Sequence, residues 1–296
     1  MPDRPFAILI AGPTASGKSS LALELAEKHG GVVVNADASQ VYSGLKVLTA
    51  RPGKNEVDRA PHYLYGHVNP AHAYSVAEWL QEMRSLIPEI HDAGNVPILT
   101  GGTGLYFKAL LEGLSDIPEA DPAIRTYWRD FAAQTPQKLH GELERRDLEG
   151  AKKLRPSDVQ RLVRALEVFD STGVPLSQWQ ERRSEEPVLA HDNLLKIIVE
   201  PPRAVLHERI ERRFDEMINR GAIEEVDALL KLGLADNLPS MKAIGVRELR
   251  AYLRGELALE AATERAKTAT RQYAKRQSTW FRNQTGEGWE RRDLQT

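Results

Sequence analysis

The apolar residues of this chain fall into short unbroken runs, separated by stretches in which they recur at helical spacing. Phe6–Ala11 is a run of buried-strand type. After Gly17, Leu21, Ala22 and Leu25 repeat at helical spacing until Gly30-Gly31 stops them. Val32–Val34 reads as a second strand, ending in Asn35-Ala36-Asp37. Ser75-Val76-Ala77-Glu78 is a capping box opening a helix that carries Trp79, Leu80, Met83 and Ile87. Val96–Thr100 reads as a third strand, closed by Gly101-Gly102-Thr103-Gly104. Strands alternating with helices predict an α/β fold, a parallel sheet covered on both faces.

From about Asp116 to Pro187 the pattern changes to charged helices with proline starts at Asp121-Pro122 and Thr135-Pro136. A helix is predicted from Pro156 to Ser171, with Gly173 just past its end and a core stripe of Val159, Leu162, Val163, Leu166 and Phe169. Leu194–Val199 returns to the buried-strand pattern, and helical regions follow at 204–220 and 260–282. A strand after a helical block predicts an insertion: a sheet core from 1–115 and 194–296, and an all-helical domain at 116–193.

Apolar residues make up 41% and charged residues 28% of 296 residues, the balance of an ordinary globular protein. No stretch approaches the ~18 apolar residues of a membrane span, and Phe6–Ala11 is too short for a signal-peptide core. The expectation is a cytoplasmic protein without membrane contact. There is no cysteine, which removes disulfides, thiolate metal sites and a cysteine nucleophile. The net charge of −2 gives no argument for nucleic acid, but Arg265, Lys267, Arg271, Lys275, Arg276 and Arg282 form a block without an acid. Such a block suits a phosphate backbone or a solvated helix face. His62, His67 and His72 recur every five residues, a spacing that shares no helix face and predicts no metal site.

Gly12-Pro13-Thr14-Ala15-Ser16-Gly17-Lys18-Ser19 fits G-x-x-x-x-G-K-[ST] between a strand and a helix, which makes the sheet core P-loop NTPase-like. Its backbone N–H groups would converge on phosphate oxygens, with Lys18 adding charge and Ser19 offering a hydroxyl to Mg²⁺. The motif establishes phosphate binding and does not name the ligand. The strand at 96–100 ends in Thr100 rather than in the acid a nucleotide hydrolase needs, and no N-K-x-D motif occurs. The strand-terminal acid is Asp37, at the carboxyl edge where ligands bind in such sheets. A carboxylate there can take a proton from a nucleophile, or bind a water on Mg²⁺, or cap a helix. The amides of Gly101–Gly104 and the Thr103 hydroxyl could stabilise a departing diphosphate, although tight packing also demands glycines.

In these motifs the chain resembles the bacterial tRNA dimethylallyltransferases. The matching segments are GPTASGKS (12–19), NADASQVY (35–42), TARP (49–52), GGTGLY (101–106), DVQRLVRALEV (158–168), RIERRFDEMINRGAIEEV (209–226) and TRQYAKRQSTWFR (270–282). The resemblance implies transfer of a dimethylallyl group from dimethylallyl diphosphate, held with Mg²⁺ in the P-loop, to the exocyclic amine of the adenosine 3′ of the anticodon. It implies Asp37 as general base, Thr103 as a contact to diphosphate and tRNA, and Arg213 as charge beside the leaving group. The anticodon stem-loop would meet Asp37, Ala38, Ser39, Gln40 and Thr103, and on the helical domain Arg125 and Gln160, Arg161, Leu162, Val163 and Arg164. A monomer is expected. The chain departs from the family pattern at Ala38, where a serine is usual, at 43–48, and at Val246. Two other enzymes remain open, a P-loop small-molecule kinase and a free-adenylate isopentenyltransferase, as does a nonenzymatic RNA-binding scaffold.

Overall fold

A computed structural model of the chain describes residues 4–181 and 186–294. Among the described residues one sheet is formed by β1 (Ala7–Ala11), β2 (Gly31–Asn35), β3 (His62–Tyr63), β4 (Val96–Gly101), β5 (Leu194–Val199) and β6 (Glu290–Arg292). Their order is β3-β2-β4-β1-β5-β6 and every pairing is parallel. All positions of β1, β2 and β4 are buried, as expected of inner strands covered on both faces. The two edge strands, β3 and β6, are too short to leave an apolar pattern in the sequence.

The helices are α1 (Lys18–His29), α2 (Lys54–Arg59), α3 (Val76–Asp92), α4 (Gly104–Glu112), α5 (Pro122–Gln134), α6 (Leu139–Glu144), α7 (Leu148–Lys153), α8 (Val159–Thr172), α9 (Leu176–Glu181), α10 (Arg203–Asn219), α11 (Ala222–Leu230), α12 (Val246–Leu253) and α13 (Leu259–Gln284). The predicted capping box opens α3: Ser75 Oγ accepts from Glu78 N–H at 3.2 Å, and Glu78 Oε2 from Ser75 N–H at 2.8 Å. Helix α8 starts later than the predicted Pro156, because the Asp158 side chain accepts from Arg161 N–H and caps it there. It ends at Gly173, in the left-handed region at φ 72°.

The chain divides into two compact units. The larger runs through Leu111 and resumes at Val188; the smaller spans Glu112–Pro187. In the larger unit, one core packs α1 on the sheet through Leu21, Leu25, Ile8 and Ile98. A second joins Val41, Tyr42 and Leu45, just after β2, to Phe214, Met217, Val226, Leu229, Val246 and Leu249. The smaller unit has its own core of Trp128, Leu139, Leu143, Ala151, Leu162, Ala165 and Leu166. Trp128 is anchored there by an Nε1–H donated to Asp170 Oδ2 at 2.9 Å. Of the predicted α8 stripe, Leu162 and Leu166 are fully buried, while Ala165 and Val168 take the inner places expected of Val163 and Phe169.

Candidate active site

The carboxyl ends of β1, β2 and β4 deliver three turns to one place. The turn after β1 is the predicted phosphate loop. Gly17 sits at φ 96°, a conformation that lets the loop close onto the first turn of α1. Thr14 is fixed from two helices distant in sequence: its N–H donates to Gln277 Oε1 of α13 at 2.9 Å, and its Oγ1 accepts from Arg213 Nη2 of α10. Lys18 Nζ donates to Pro13 O at 3.1 Å, and Arg209 Nη1 to Ser16 O at 3.2 Å. The Ser16 hydroxyl is buried and has no partner among the described residues. Ser19 is exposed at the start of α1.

The turn after β2 carries Asp37, whose residue is only 8% exposed. Asn35, fully buried, accepts from Asp37 N–H at 2.9 Å and donates to Asp37 O at 3.0 Å. Asp37 Oδ1 accepts from Ser39 N–H at 3.0 Å and from Ser39 Oγ–H at 2.7 Å. Oδ2 makes no hydrogen bond to any described residue. Gln40 donates its Nε2–H groups to Thr49 O and Ala50 O, which leaves Oε1 as its only unused amide atom.

The turn after β4 is glycine-rich because it is crowded. A Cβ on Gly101 would lie 2.0 Å from Ala36 O, on Gly102 2.0 Å from Gln277 Nε2, and on Gly104 2.1 Å from the Trp280 ring. Thr103 N–H donates to Ala36 O at 3.2 Å and Thr103 Oγ1 accepts from Ala38 N–H at 2.9 Å. The expected oxyanion role of the Thr103 amide is therefore corrected: that donor is already spent on the neighbouring turn. The Thr103 hydroxyl proton remains to donate.

The turns after β1 and β2, together with Thr100 of β4, open on a cavity of about 370 Å³, which Thr103 does not line. Thr14, Lys18, Ser19, Asp37, Thr100 and Arg213 are among its polar groups, with Lys242 and Arg276 as further cations; Leu48, Ile210, Phe214, Met217 and Ile244 supply an apolar surface. Ile210, Arg213, Phe214 and Met217 follow one another at i, i+3, i+4 and i+7, so a single face of α10 provides both a cation and the greasy wall. Burial pushes the Lys18 ammonium down to about 8, against the opposing pull of Asp37 and with help from Arg213. Burial likewise lowers Arg213, again opposed by Asp37. Tyr65 and Tyr273 are raised by burial first and by the Asp37 charge second, so both stay neutral phenols. Four cations (Lys18, Arg213, Lys242 and Arg276), one carboxylate and an apolar wall line a cavity that can hold an anion joined to a hydrocarbon.

The residues also suit a magnesium ion. The available donors are all oxygens, as a hard cation prefers, and Thr100 Oγ1 is a buried oxygen without a partner on the strand next to β1. Ser19 would be the protein ligand, with phosphate oxygens completing the shell.

Within the smaller unit, Arg125 of α5 lies close enough to Arg164 of α8 to lower it by like charge, a smaller effect than burial. Gln160 and Arg161 are exposed on α8, and Val163 is partly buried. Leu162 does not belong with them. It is fully buried in the core of that unit, so its side chain has no surface to give to RNA, and the expected contact is withdrawn.

Several lining residues carry no mark in the sequence: Tyr65, Phe214, Met217, Lys242, Ile244 and Tyr273; Arg276 comes from the basic block. Gln277 joins the phosphate loop to the glycine turn by donating Nε2–H to Gly102 O at 2.9 Å. Here a signal existed. The inner stripe of α13 runs Ala262, Ala266, Thr270, Ala274, Gln277, Phe281, and a glutamine in such a stripe needs partners. Gln277→Leu is expected to strand Thr14 N–H and Gly102 O, lowering stability by about 1–3 kcal/mol in a urea titration. Affinity for inorganic diphosphate should fall with it, measured by calorimetry.

Fold and site together define a P-loop protein in which Lys18, Arg213 and the Asp37 carboxylate line one cavity. The profile of the IPP transferase family matches residues 40–284, and that of the isopentenyl transferases residues 6–69. The chain is 54% identical over 289 residues to the tRNA dimethylallyltransferase of Mesorhizobium japonicum, covering 96% of this chain and 88% of that one. It is 53% identical over 287 residues to that of Rhizobium meliloti, covering 96% and 94%. Among solved structures, a tRNA isopentenylpyrophosphate transferase from Bacillus halodurans superposes with a TM-score of 0.68 at 36% identity, over 98% of this chain and 90% of that one. A eukaryotic dimethylallyltransferase acting on tRNA superposes with a TM-score of 0.77 at 30% identity, over 93% and 69%. The chain belongs to the IPP transferase family.

Proposed function

We propose that this enzyme transfers a dimethylallyl group from dimethylallyl diphosphate to the N6 amine of the adenosine 3′ of the anticodon in tRNA. The observation that carries the reading is one cavity holding both the phosphate loop, with Lys18 and Arg213, and the unpaired Oδ2 of Asp37. Lys18, Arg213 and the loop amides bind the diphosphate; the apolar face of α10 takes the five-carbon chain. Ser19 would hold Mg²⁺, which when bound would supply further positive charge against the leaving group. The N6 nitrogen forms a bond to the primary carbon as the carbon–oxygen bond breaks, and the electron pair leaves with diphosphate. The amine is barely acidic before attack, so its proton passes to Asp37 Oδ2 as, or after, the new bond forms. Diphosphate departure dominates the barrier, and the fixed cations answer it.

A flipped-out base must enter beside Asp37, since duplex or stacked adenine hides its amine. Gln40 Oε1 is free to accept from a base edge, and Arg125, Gln160, Arg161 and Arg164 suit the RNA backbone. In this proposal the enzyme acts as a monomer in the cytoplasm. A nucleotide kinase fits less well. Thr100, next to the last residue of β4, stands where a metal-binding acid would be needed.

The test is transfer of labelled dimethylallyl diphosphate, with Mg²⁺, to unmodified tRNA carrying adenosine 3′ of the anticodon, with AMP and ADP as parallel acceptors. Label on the tRNA alone is the expected result. Label only on AMP or ADP would assign the chain to the free-adenylate enzymes, and ATP turnover without prenyl transfer would assign it to the kinases.

A further inference from the structure

The residue after Asp37 is Ala38, and the first serine stands one position later, at Ser39. That serine does not point away from the carboxylate. Its Oγ–H and its N–H both donate to Asp37 Oδ1, at 2.7 and 3.0 Å. The main chain of Asp37 is gripped at the same time by the buried amide of Asn35, which holds its N–H at 2.9 Å and its carbonyl at 3.0 Å. Asn35 is itself pinned by a third bond, from Nδ2–H to Leu64 O at 3.0 Å. With backbone and one oxygen fixed, the rotation of the Asp37 carboxylate is determined, and only Oδ2 is left to receive a proton.

We infer that Ser39 is a positioning residue for the transfer reaction: its hydroxyl locks the Asp37 carboxylate so that Oδ2, and not Oδ1, meets the adenine amine. This rests on Asp37 acting as the base. The reasoning is geometric. An oxygen already accepting two hydrogen bonds is the poorer proton acceptor, and a carboxylate free to turn about its last bond spends part of its time with that oxygen forward. Losing the hydroxyl leaves Oδ1 with the Ser39 N–H alone, one donor instead of two. The hydroxyl proton is committed inside the protein, so a contact to RNA through that donor would require breaking the bond to Asp37.

A double-mutant cycle separates this role from a merely structural one. Wild type, Ser39→Ala, Asp37→Asn and the double variant are compared in single-turnover transfer at saturating tRNA and dimethylallyl diphosphate, with long incubations for the slow proteins. Ser39→Ala should slow the step about 10- to 50-fold, as expected for a hydrogen bond to a charged group, with KM for either substrate within about 2-fold of wild type. Ser39→Thr, which keeps the hydroxyl, should recover most of the rate. In the Asp37→Asn background, adding Ser39→Ala should change the rate by less than about 2-fold. The inference is overturned if Ser39→Ala slows Asp37→Asn by the same factor as wild type, because Ser39 would then act independently of the carboxylate. It is overturned equally if the rate is kept and only KM for tRNA rises, which would make Ser39 an RNA contact. Full activity in Asp37→Asn alone is a different failure: it removes the base itself, and the inference with it.

Discussion

Asp37→Asn should slow prenyl transfer by about 10²- to 10⁴-fold while leaving the binding of both substrates close to wild type. The substitution preserves shape. The amide oxygen can still accept from Ser39 Oγ–H and N–H, and Asn35 grips only the main chain, so the turn after β2 has no reason to move. What disappears is a proton acceptor at Oδ2, since an amide NH₂ in that place can only donate. The adduct formed on the adenine nitrogen then has to lose its proton to water in a largely enclosed cavity. Rapid-quench transfer of labelled prenyl group to tRNA measures the step directly. A loss below about 3-fold would remove Asp37 from proton transfer and leave it a structural carboxylate.

Lys18→Met should cost about 10²- to 10³-fold in kcat/KM, the size of effect produced when one fixed donor to a developing negative charge is removed. Its second signature lies in stability. Because burial holds the Lys18 ammonium at about 8, below an unfolded lysine near 10.5, the charged side chain opposes folding at every pH below about 8. That penalty fades as pH rises through 8 and is gone above the unfolded value. The methionine variant of the ligand-free protein should consequently melt no lower than wild type at pH 7, although it has lost most of its activity. A bound diphosphate reverses the balance by restoring the cation. Calorimetric binding of diphosphate near pH 8.5, in buffers of different ionisation enthalpy, should therefore show proton uptake in wild type beyond any in Lys18→Met. Equal proton uptake by the two proteins would mean that Lys18 is not the group responding to the ligand.

What could be read from the sequence was what the chain encodes locally. The buried runs of β1, β2 and β4 are continuous and adjoin glycines, β5 is apolar but for Lys196, and the phosphate loop is a contiguous motif, so strand, turn and helix were legible together. The capping box of α3 is likewise a four-residue signal. Edge strands β3 and β6 were illegible because two or three residues have no periodicity. Helices α11 and α12 each open at a left-handed glycine, Gly221 and Gly245, in a stretch whose apolar residues are shared between short helices and turns. At the site, Asp37 and Lys18 announced themselves by position, whereas Phe214, Met217 and Tyr273 read as ordinary helix core until folding turned them into a cavity wall. Glu225 is a further example. It accepts from the N–H groups of Lys46, Val47 and Leu48 at 2.6–2.9 Å, anchoring the very segment where the chain departs from its family, and nothing in its local sequence marks that task.

The bond between Thr14 and Gln277 also sets a timetable. The two residues are 263 positions apart, and β1 lies between β4 and β5, the latter also far downstream. A ribosome adding about 5–20 residues per second delivers Gln277 roughly 15–50 s after Thr14 has been made. Through that interval the glycine turn and the phosphate loop lack the side chain that joins them, and β1 waits for one of its neighbours. The nascent chain thus carries its binding motif long before the residue that braces it has been made.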